Sequence, residues 1–327
     1  MSEEINKIIA DAHFKDEDIQ QPPPLITIGG RTIATEGNFI TISGLPKSRK
    51  TTFAFLMAAA ALTGQTLFDI NVNLSPDENI LLIDTEQSIF DFSKQIGLLK
   101  HFIHSKKLPG NFNAYIFRKY DPKEILASLY VLMQEKRPKI VILDNLTELV
   151  INPNDMIESK TIIQFLKKIT AEFNCVVICL LHLGKGAQQN TLGNLGSYAD
   201  RGAQSTLKVT KDKETDISSL EATFLRSDGN FEPINIFFNP ETKHYEQTEG
   251  TNTKPLKKTI IDDLTEADHY AKMKLIFAGA PQIIYAELWE EIKKYYGVGT
   301  NIAKQKIIPF LLSRKILISD KGIYKLI

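Results

Sequence analysis

Residues 44–51 read Gly44-Leu45-Pro46-Lys47-Ser48-Arg49-Lys50-Thr51 and stand between a strand-like run, FITISG (39–44), and a helix-like one, TTFAFLMAAAALTG (51–64). A basic turn opened by glycine and set between a buried strand and a helix is the context of a phosphate-binding loop. Backbone N–H groups of such a turn, with the positive end of the following helix, receive the β- and γ-phosphates of a nucleotide. In that reading residues 44–52, Gly44 to Thr52, form the nucleotide-binding stretch. Lys50 neutralises phosphate charge and the Thr51 hydroxyl ligates Mg2+. One position departs from the usual pattern GxxxxGK(S/T): Arg49 stands where the second glycine belongs. Glycine tolerates a close backbone approach that arginine resists, whereas arginine offers an additional phosphate contact. Taken alone, the stretch also reads as a basic turn that opens a helix.

The text around the loop alternates strand and helix. NILLIDTE (79–86), NAYIFRK (113–119), KIVILDN (139–145) and CVVICLLH (175–182) read as strands. Between them lie helical runs, among them PKEILASLYVLMQEK (122–136) and SKTIIQFLKKITAEF (159–173). The runs ILLI, IVIL and VVICLL are continuous rather than alternating, which suits parallel strands buried on both faces by helices. The expected fold is therefore α/β, a doubly wound and mostly parallel sheet. After His182 the segment 184–202 is rich in Gly, Asn and Gln and reads as a loop. TLKVTKD (206–212), SSLEATFLRSD (218–228) and INIFFNPETKHYEQ (234–247) read as an antiparallel meander that closes the sheet.

The strand ends carry the remaining chemistry. In open α/β sheets, ligands bind outside the C-terminal ends of the strands. KIVILDN ends in Asp144, a carboxylate suited to organise Mg2+ beside the loop. NILLIDTE ends in Asp84-Thr85-Glu86; Glu86 is placed to polarise an attacking water, with Asp84 as the alternative base. CVVICLLH ends in His182, followed by Lys185, a pair suited to sense a γ-phosphate. No second His or Cys stands at metal-ligand spacing.

The order of phosphate loop, strand-end Glu86, strand-end Asp144 and strand-end His182 resembles RecA-like P-loop ATPases. Within them it is most similar to the hexameric helicase group of plasmid RepA, KaiC and DnaB, in a branch carried on bacterial mobile elements. The resemblance covers about residues 25–247. It implies an ATP- and Mg2+-dependent ATPase, helicase- or translocase-like, with Glu86 as catalytic base and Asp144 as the Mg2+-linked acid. It implies a homo-oligomeric, hexameric ring in which the loop 184–202 faces single-stranded DNA, with Lys185, Gln188, Gln189 and Asn190 as contacts. It also implies a basic finger supplied by the neighbouring subunit. The relatives carry Lys-x-Arg on a late strand, and the matching text here is Phe224-Leu225-Arg226, so Arg226 is the finger candidate and the lysine is missing.

The expected domain plan is an N-terminal arm (1–24) ending in Gln21-Pro22-Pro23-Pro24, an ATPase domain (25–247), a polar linker (248–262) and a tail domain (263–327). The tail reads as helix, short strand, helix, turn, second helix (Thr300–Lys315) and hairpin, the order of a small α+β winged-helix domain. Asn301, Lys304 and Gln305 then face a duplex groove, and Lys306, Arg314, Lys315 and the wing's Lys321 meet phosphates. Charge agrees: residues 251–327 carry 13 basic and 8 acidic side chains, within a chain of net charge zero.

With 43% hydrophobic and 24% charged residues over 327 positions, the composition excludes a disordered or collagen-like chain. The longest apolar run, Phe53 to Leu62, is too short for a membrane span. The opening MSEEINK has acids where a signal peptide carries base, so a cytoplasmic location without membrane partners is expected. Two cysteines, Cys175 and Cys179, exclude a disulfide framework and read as buried thiols. Three functional readings remain open: a DNA-acting ATPase motor, an ATP-gated DNA-binding regulator with weak or no hydrolysis, and a kinase for a small acceptor.

Overall fold

The chain divides into two units, Met1–Thr251 and Asn252–Ile327. The computed structural model describes residues 2–14, 22–184, 193–248, 264–300, 303–320 and 322–327. The first unit opens with helix α1 (Ser2–Ala12) and a hairpin of β1 (Pro24–Ile28) and β2 (Arg31–Thr35). Strand and helix then alternate: β3 (Phe39–Gly44), α2 (Lys50–Thr63), β4 (Ile70–Val72), β5 (Asn79–Asp84), α3 (Ile89–Phe102), β6 (Phe112–Ile116), α4 (Pro122–Lys136), β7 (Pro138–Asp144), α5 (Met156–Phe173), β8 (Val176–His182), α6 (Gly193–Gly202) and β9 (Ser205–Lys211). Three further strands follow, β10 (Ser218–Leu225), β11 (Ile234–Asn239) and β12 (His244–Thr248).

The continuous apolar runs explain the architecture. Successive side chains of a strand point to opposite faces. Ile80, Leu82, Ile140, Ile142, Ile178 and Leu180 accordingly join one core with α2 and α3. Leu81, Ile83, Val141, Leu143, Val177, Cys179 and Leu181 join a second core with α4, α5 and α6. Both faces are covered, so the expected fold class holds: a nine-stranded sheet ordered β12-β11-β10-β9-β3-β8-β7-β5-β6. From β9 to β6 neighbouring strands are parallel. β3, which delivers the phosphate loop, lies inside the sheet between β9 and β8.

Three features differ from the sequence reading. The stretch 206–212 opens the expected meander, with β9, β10, β11 and β12 joined by successive antiparallel pairs, but β9 also pairs parallel with β3. A parallel return needs a crossover, and α6 supplies it within the segment read as loop. The helix is glycine-rich, and the fully buried Leu195 and Ala199 anchor it in the second core. Next, β1, β2 and β4 form a separate sheet, β2-β1-β4. Its hairpin turns at Gly29 and Gly30, whose φ values of 55° and 75° suit glycine. Finally, α1 forms in the acidic opening segment, with Ile5, Ile8 and Ile9 at helical spacing and exposed.

The second unit has α7 (Glu266–Ile276), β13 (Ile283–Ile284), α8 (Tyr285–Tyr296), a π-helical turn (Ala303–Ile307) running into a short helix (Ile308–Ser313), and the hairpin β14 (Leu317–Asp320) and β15 (Ile323–Leu326). The sheet order is β13-β15-β14. Met273, Leu288, Ile292, Ile307 and Leu311 form its core. The helix expected over 300–315 is described over 303–313 and is irregular: its first part is π-helical, and Pro309, which has no N–H to donate, sits where the regular turn begins. Among the described residues no helix is long and apolar enough to cross a membrane.

Cys175 and Cys179 are both fully buried. Burial pushes the Cys175 thiol up to about 12 and the Cys179 thiol higher still. Thiolate, not thiol, attacks an aromatic disulfide reagent. The folded chain is therefore expected to show no reactive thiol at pH 8, and the denatured chain two. A fast-reacting thiol in the folded chain contradicts the buried assignment.

Candidate nucleotide-binding site

The phosphate loop turns from β3 into α2, and its first residue has no room for a side chain. A Cβ at Gly44 would lie 2.7 Å from the Val209 carbonyl oxygen and 2.5 Å from Ser48 Oγ. The departure at Arg49 resolves structurally. Arg49 holds φ 78°, the left-handed conformation that the missing glycine adopts without penalty. Its side chain leaves the loop. The guanidinium donates to the Asp216 carbonyl and carboxylate and to Ser218 Oγ, the last at 3.2 Å. The phosphate contact raised for it in the sequence is replaced by this attachment to the turn between β9 and β10.

Lys50 is buried, and its Nζ donates to Gly44 O at 3.1 Å, Leu45 O at 3.3 Å and His182 Nδ1 at 3.1 Å. Burial lowers its pKa, against the opposing pull of Asp144 and Glu86. Thr51 Oγ1 donates to Asp144 Oδ2 at 2.7 Å. Asp144 is itself buried, which raises its pKa despite that hydrogen bond. Strand register produces these meetings: Gly44 pairs with His182, and Asp84 with Asp144.

His182 joins the two halves of the cluster. With Lys50 donating to Nδ1, Nε2 carries the N–H that faces Glu86 Oε1 at 3.2 Å. Glu86 Oε1 also accepts from Asn145 Nδ2. The His182 hydrogen bond, opposed by burial, holds the Glu86 carboxyl below its ordinary value. Asp84 is more deeply buried, and its Oδ1 accepts from the backbone N–H groups of Glu86 at 3.1 Å and Gln87 at 2.7 Å. Burial raises its pKa to about 7. These contacts engage one carboxylate oxygen in the turn after β5.

Asn145 is the residue that sequence reasoning missed. It follows Asp144 across a cis peptide bond, and its side chain holds both Glu86 and Thr147. The signal was present as the last letter of KIVILDN. Its partner, however, is 59 positions away.

The remaining site residues fall in three groups. Arg226 lies apart from the cluster: its Nη2 donates to Ala203 O at 3.2 Å and Arg201 O at 3.4 Å. In the second unit Lys304 Nζ sits 3.9 Å from the Trp289 ring centroid, and Arg314 pairs with Glu266 at 3.3 Å. Lys315 takes φ 55° just after the short helix. Lys185, Gln188, Gln189, Asn190, Asn301 and Lys321 lie outside the described residues, as do the side chains of Gln305 and Lys306.

The donor set fits a nucleotide with a divalent metal. Ser48 Oγ, within the loop, and Asp84 Oδ2 are buried without a hydrogen-bond partner among the described residues. Thr51 and Asp144 offer hard oxygens side by side. Among the described residues no group of three or more His, Cys, Asp or Glu could hold a metal by itself. Beside the loop opens a cleft of about 560 Å³, with Leu45 to Ser48 on one wall and Val209 to Lys211, Lys213 and Asp216 on the other.

Comparison with known proteins bears on the fold and the family. A solved structure of another protein's ATPase domain is similar to this chain, at 18% identity and a TM-score of 0.50, over 76% of this chain and 97% of that one. At that identity the likeness shows a shared fold. No curated protein matches the sequence. A family model described as an AAA domain matches residues 8–188, a span that includes β3, the phosphate loop and the ends of β5, β7 and β8. More than half of the 327 residues lie in that match, and the chain belongs to the AAA domain family.

Proposed function

We propose that this chain is a Mg2+-ATP-dependent ATPase that acts on DNA as a helicase- or translocase-like ring, in the service of a plasmid or mobile element. The observation that carries the reading is the convergence of Lys50, the Thr51–Asp144 pair and the Glu86–His182 pair at the C-terminal ends of neighbouring strands. In this reading the loop amides and Lys50 receive the β- and γ-phosphates. Thr51 and Asp144 would hold Mg2+, which when bound would supply positive charge beside the phosphates. Glu86 accepts a hydrogen bond and then the proton from the attacking water, and His182 reports on both Lys50 and Glu86.

Arg226 does not join its own chain's cluster. That supports a finger reaching a neighbouring subunit's nucleotide, and hence a homo-oligomeric, hexameric assembly. Segment 184–202 is the candidate contact for single-stranded DNA. The tail unit is the candidate winged helix for duplex DNA, with a net charge of +5 over 251–327 from its 13 basic and 8 acidic residues.

Steady-state ATP hydrolysis with and without single-stranded DNA tests this reading. The expected result is turnover that rises several-fold with DNA. One observation favours the second reading, an ATP-gated regulator: two donors hold Glu86, which weakens it as a base. ATP-dependent duplex binding with no turnover would establish that reading in place of the first.

A further inference from the structure

The residue that breaks the loop pattern has a task of its own. Arg49 keeps a side chain at φ 78°, where an L-residue is strained and glycine is not. The side chain is only 11% exposed, although the residue belongs to a surface turn. Its guanidinium reaches three other parts of the sheet. It binds both the carbonyl and the carboxylate of Asp216, lies 3.2 Å from Ser218 Oγ on β10, and sits 5.3 Å from the ring centroid of Tyr245 on β12. Asp216 is further held by Lys211 Nζ at 2.6 Å. Asp216 and Lys211 belong to the wall of the cleft that faces Leu45 to Ser48.

Resting on the nucleotide reading above, we propose that Arg49 is a positioning residue that latches the phosphate loop to the β9–β10 turn and so sets the width of the cleft for the nucleoside end of the nucleotide. The planar guanidinium is suited to this, because it bonds two oxygens at once while stacking on an aromatic ring, which a lysine cannot reproduce. The latch adds little to global stability: Asp216 is 56% exposed, and an ion pair open to solvent contributes little. Its contribution is local and concerns the distance between the two walls.

The test compares wild-type full-length chain with Arg49→Gly, Arg49→Lys, Asp216→Ala and the Arg49→Gly/Asp216→Ala double variant. Affinity for a non-hydrolysable ATP analogue is measured by calorimetry, and KM and kcat by steady-state hydrolysis. Arg49→Gly removes the latch and relieves the backbone, so the fold should persist. It is expected to weaken analogue binding and raise KM about tenfold, the scale of one charge-assisted contact set, with kcat within about twofold. Asp216→Ala should weaken binding similarly, and the double variant no more than the worse single variant, because both remove one attachment. Arg49→Lys should restore part of the loss. Wild-type affinity in Arg49→Gly, a fall in kcat at unchanged KM, or losses that multiply in the double variant would overturn the latch alone. Failure of the wild-type chain to bind the analogue overturns the nucleotide reading and the latch with it.

Discussion

Lys50→Ala is expected to lose at least about 100-fold in ATP affinity, the scale of one or two charge-assisted hydrogen bonds to phosphate, and to lose measurable turnover. The lysine sits at the head of α2, buried, with its three N–H donors divided between the Gly44 and Leu45 carbonyls and His182. An arriving phosphate competes for those donors at a point where the loop amides and the helix end already favour negative charge. The neighbouring Arg49 does not substitute for it, because its guanidinium is committed to Asp216. The fold should survive, since both cores are built without Lys50. Circular dichroism and thermal unfolding check that point, and calorimetry checks the affinity. Unchanged affinity in a folded variant would mean that residues 44–51 are not the phosphate site.

Glu86→Gln is expected to bind ATP as the wild type does and to hydrolyse it on the order of 10²- to 10⁴-fold more slowly, the range that a positioned general base contributes. The amide is close to isosteric, and its oxygen can still accept from His182 Nε2 and Asn145 Nδ2, so the geometry should be retained. What is lost is the ability to take a proton. The sign of the pH dependence follows from the same contacts. The hydrogen bond from His182 holds the Glu86 carboxyl below its ordinary value, so Glu86 is ionised throughout the neutral range. On its account the wild-type kcat should not fall between pH 8 and pH 6. Loss of the His182 hydrogen bond in His182→Ala should move the acid limb of kcat upward. Normal turnover in Glu86→Gln, measured by phosphate release, would remove Glu86 as the base and direct attention to Asp84.

The two variants also separate the functional readings. A motor loses DNA-stimulated turnover in both. A regulator that works by binding alone keeps its ATP-dependent DNA affinity in Glu86→Gln and loses it in Lys50→Ala.

The fold and most residues of the candidate site could be picked out along the chain, because their signals are local. A buried parallel strand is a short unbroken apolar run, and ILLI, IVIL and VVICLL divide their side chains between the two cores as such runs must. A phosphate loop is eight consecutive residues between a strand and a helix, and Gly44, Lys50 and Thr51 stand where that pattern places them. Acidic and imidazole groups at the ends of NILLIDTE, KIVILDN and CVVICLLH were visible for the same reason.

Misreadings arose where composition and tertiary packing disagree. Segment 193–202 has the composition of a loop, yet it is a helix because Leu195 and Ala199 enter the second core. That helix in turn permits β9 to lie parallel beside β3.

The sequence by itself determined the α/β class, the loop and the set of chemical groups at the strand ends. Only the tertiary structure decided who meets whom. His182 reaches Lys50 across 132 residues and Glu86 across 96, and Arg49 reaches Asp216 across 167. Asn145 became a partner of Glu86 only when β5 and β7 became neighbours. The physical reason is that each strand's apolar run is satisfied by any buried position in a parallel sheet. The order β9-β3-β8-β7-β5-β6 is therefore set by crossovers and core packing over the whole unit, and that order alone places one strand's end beside another's.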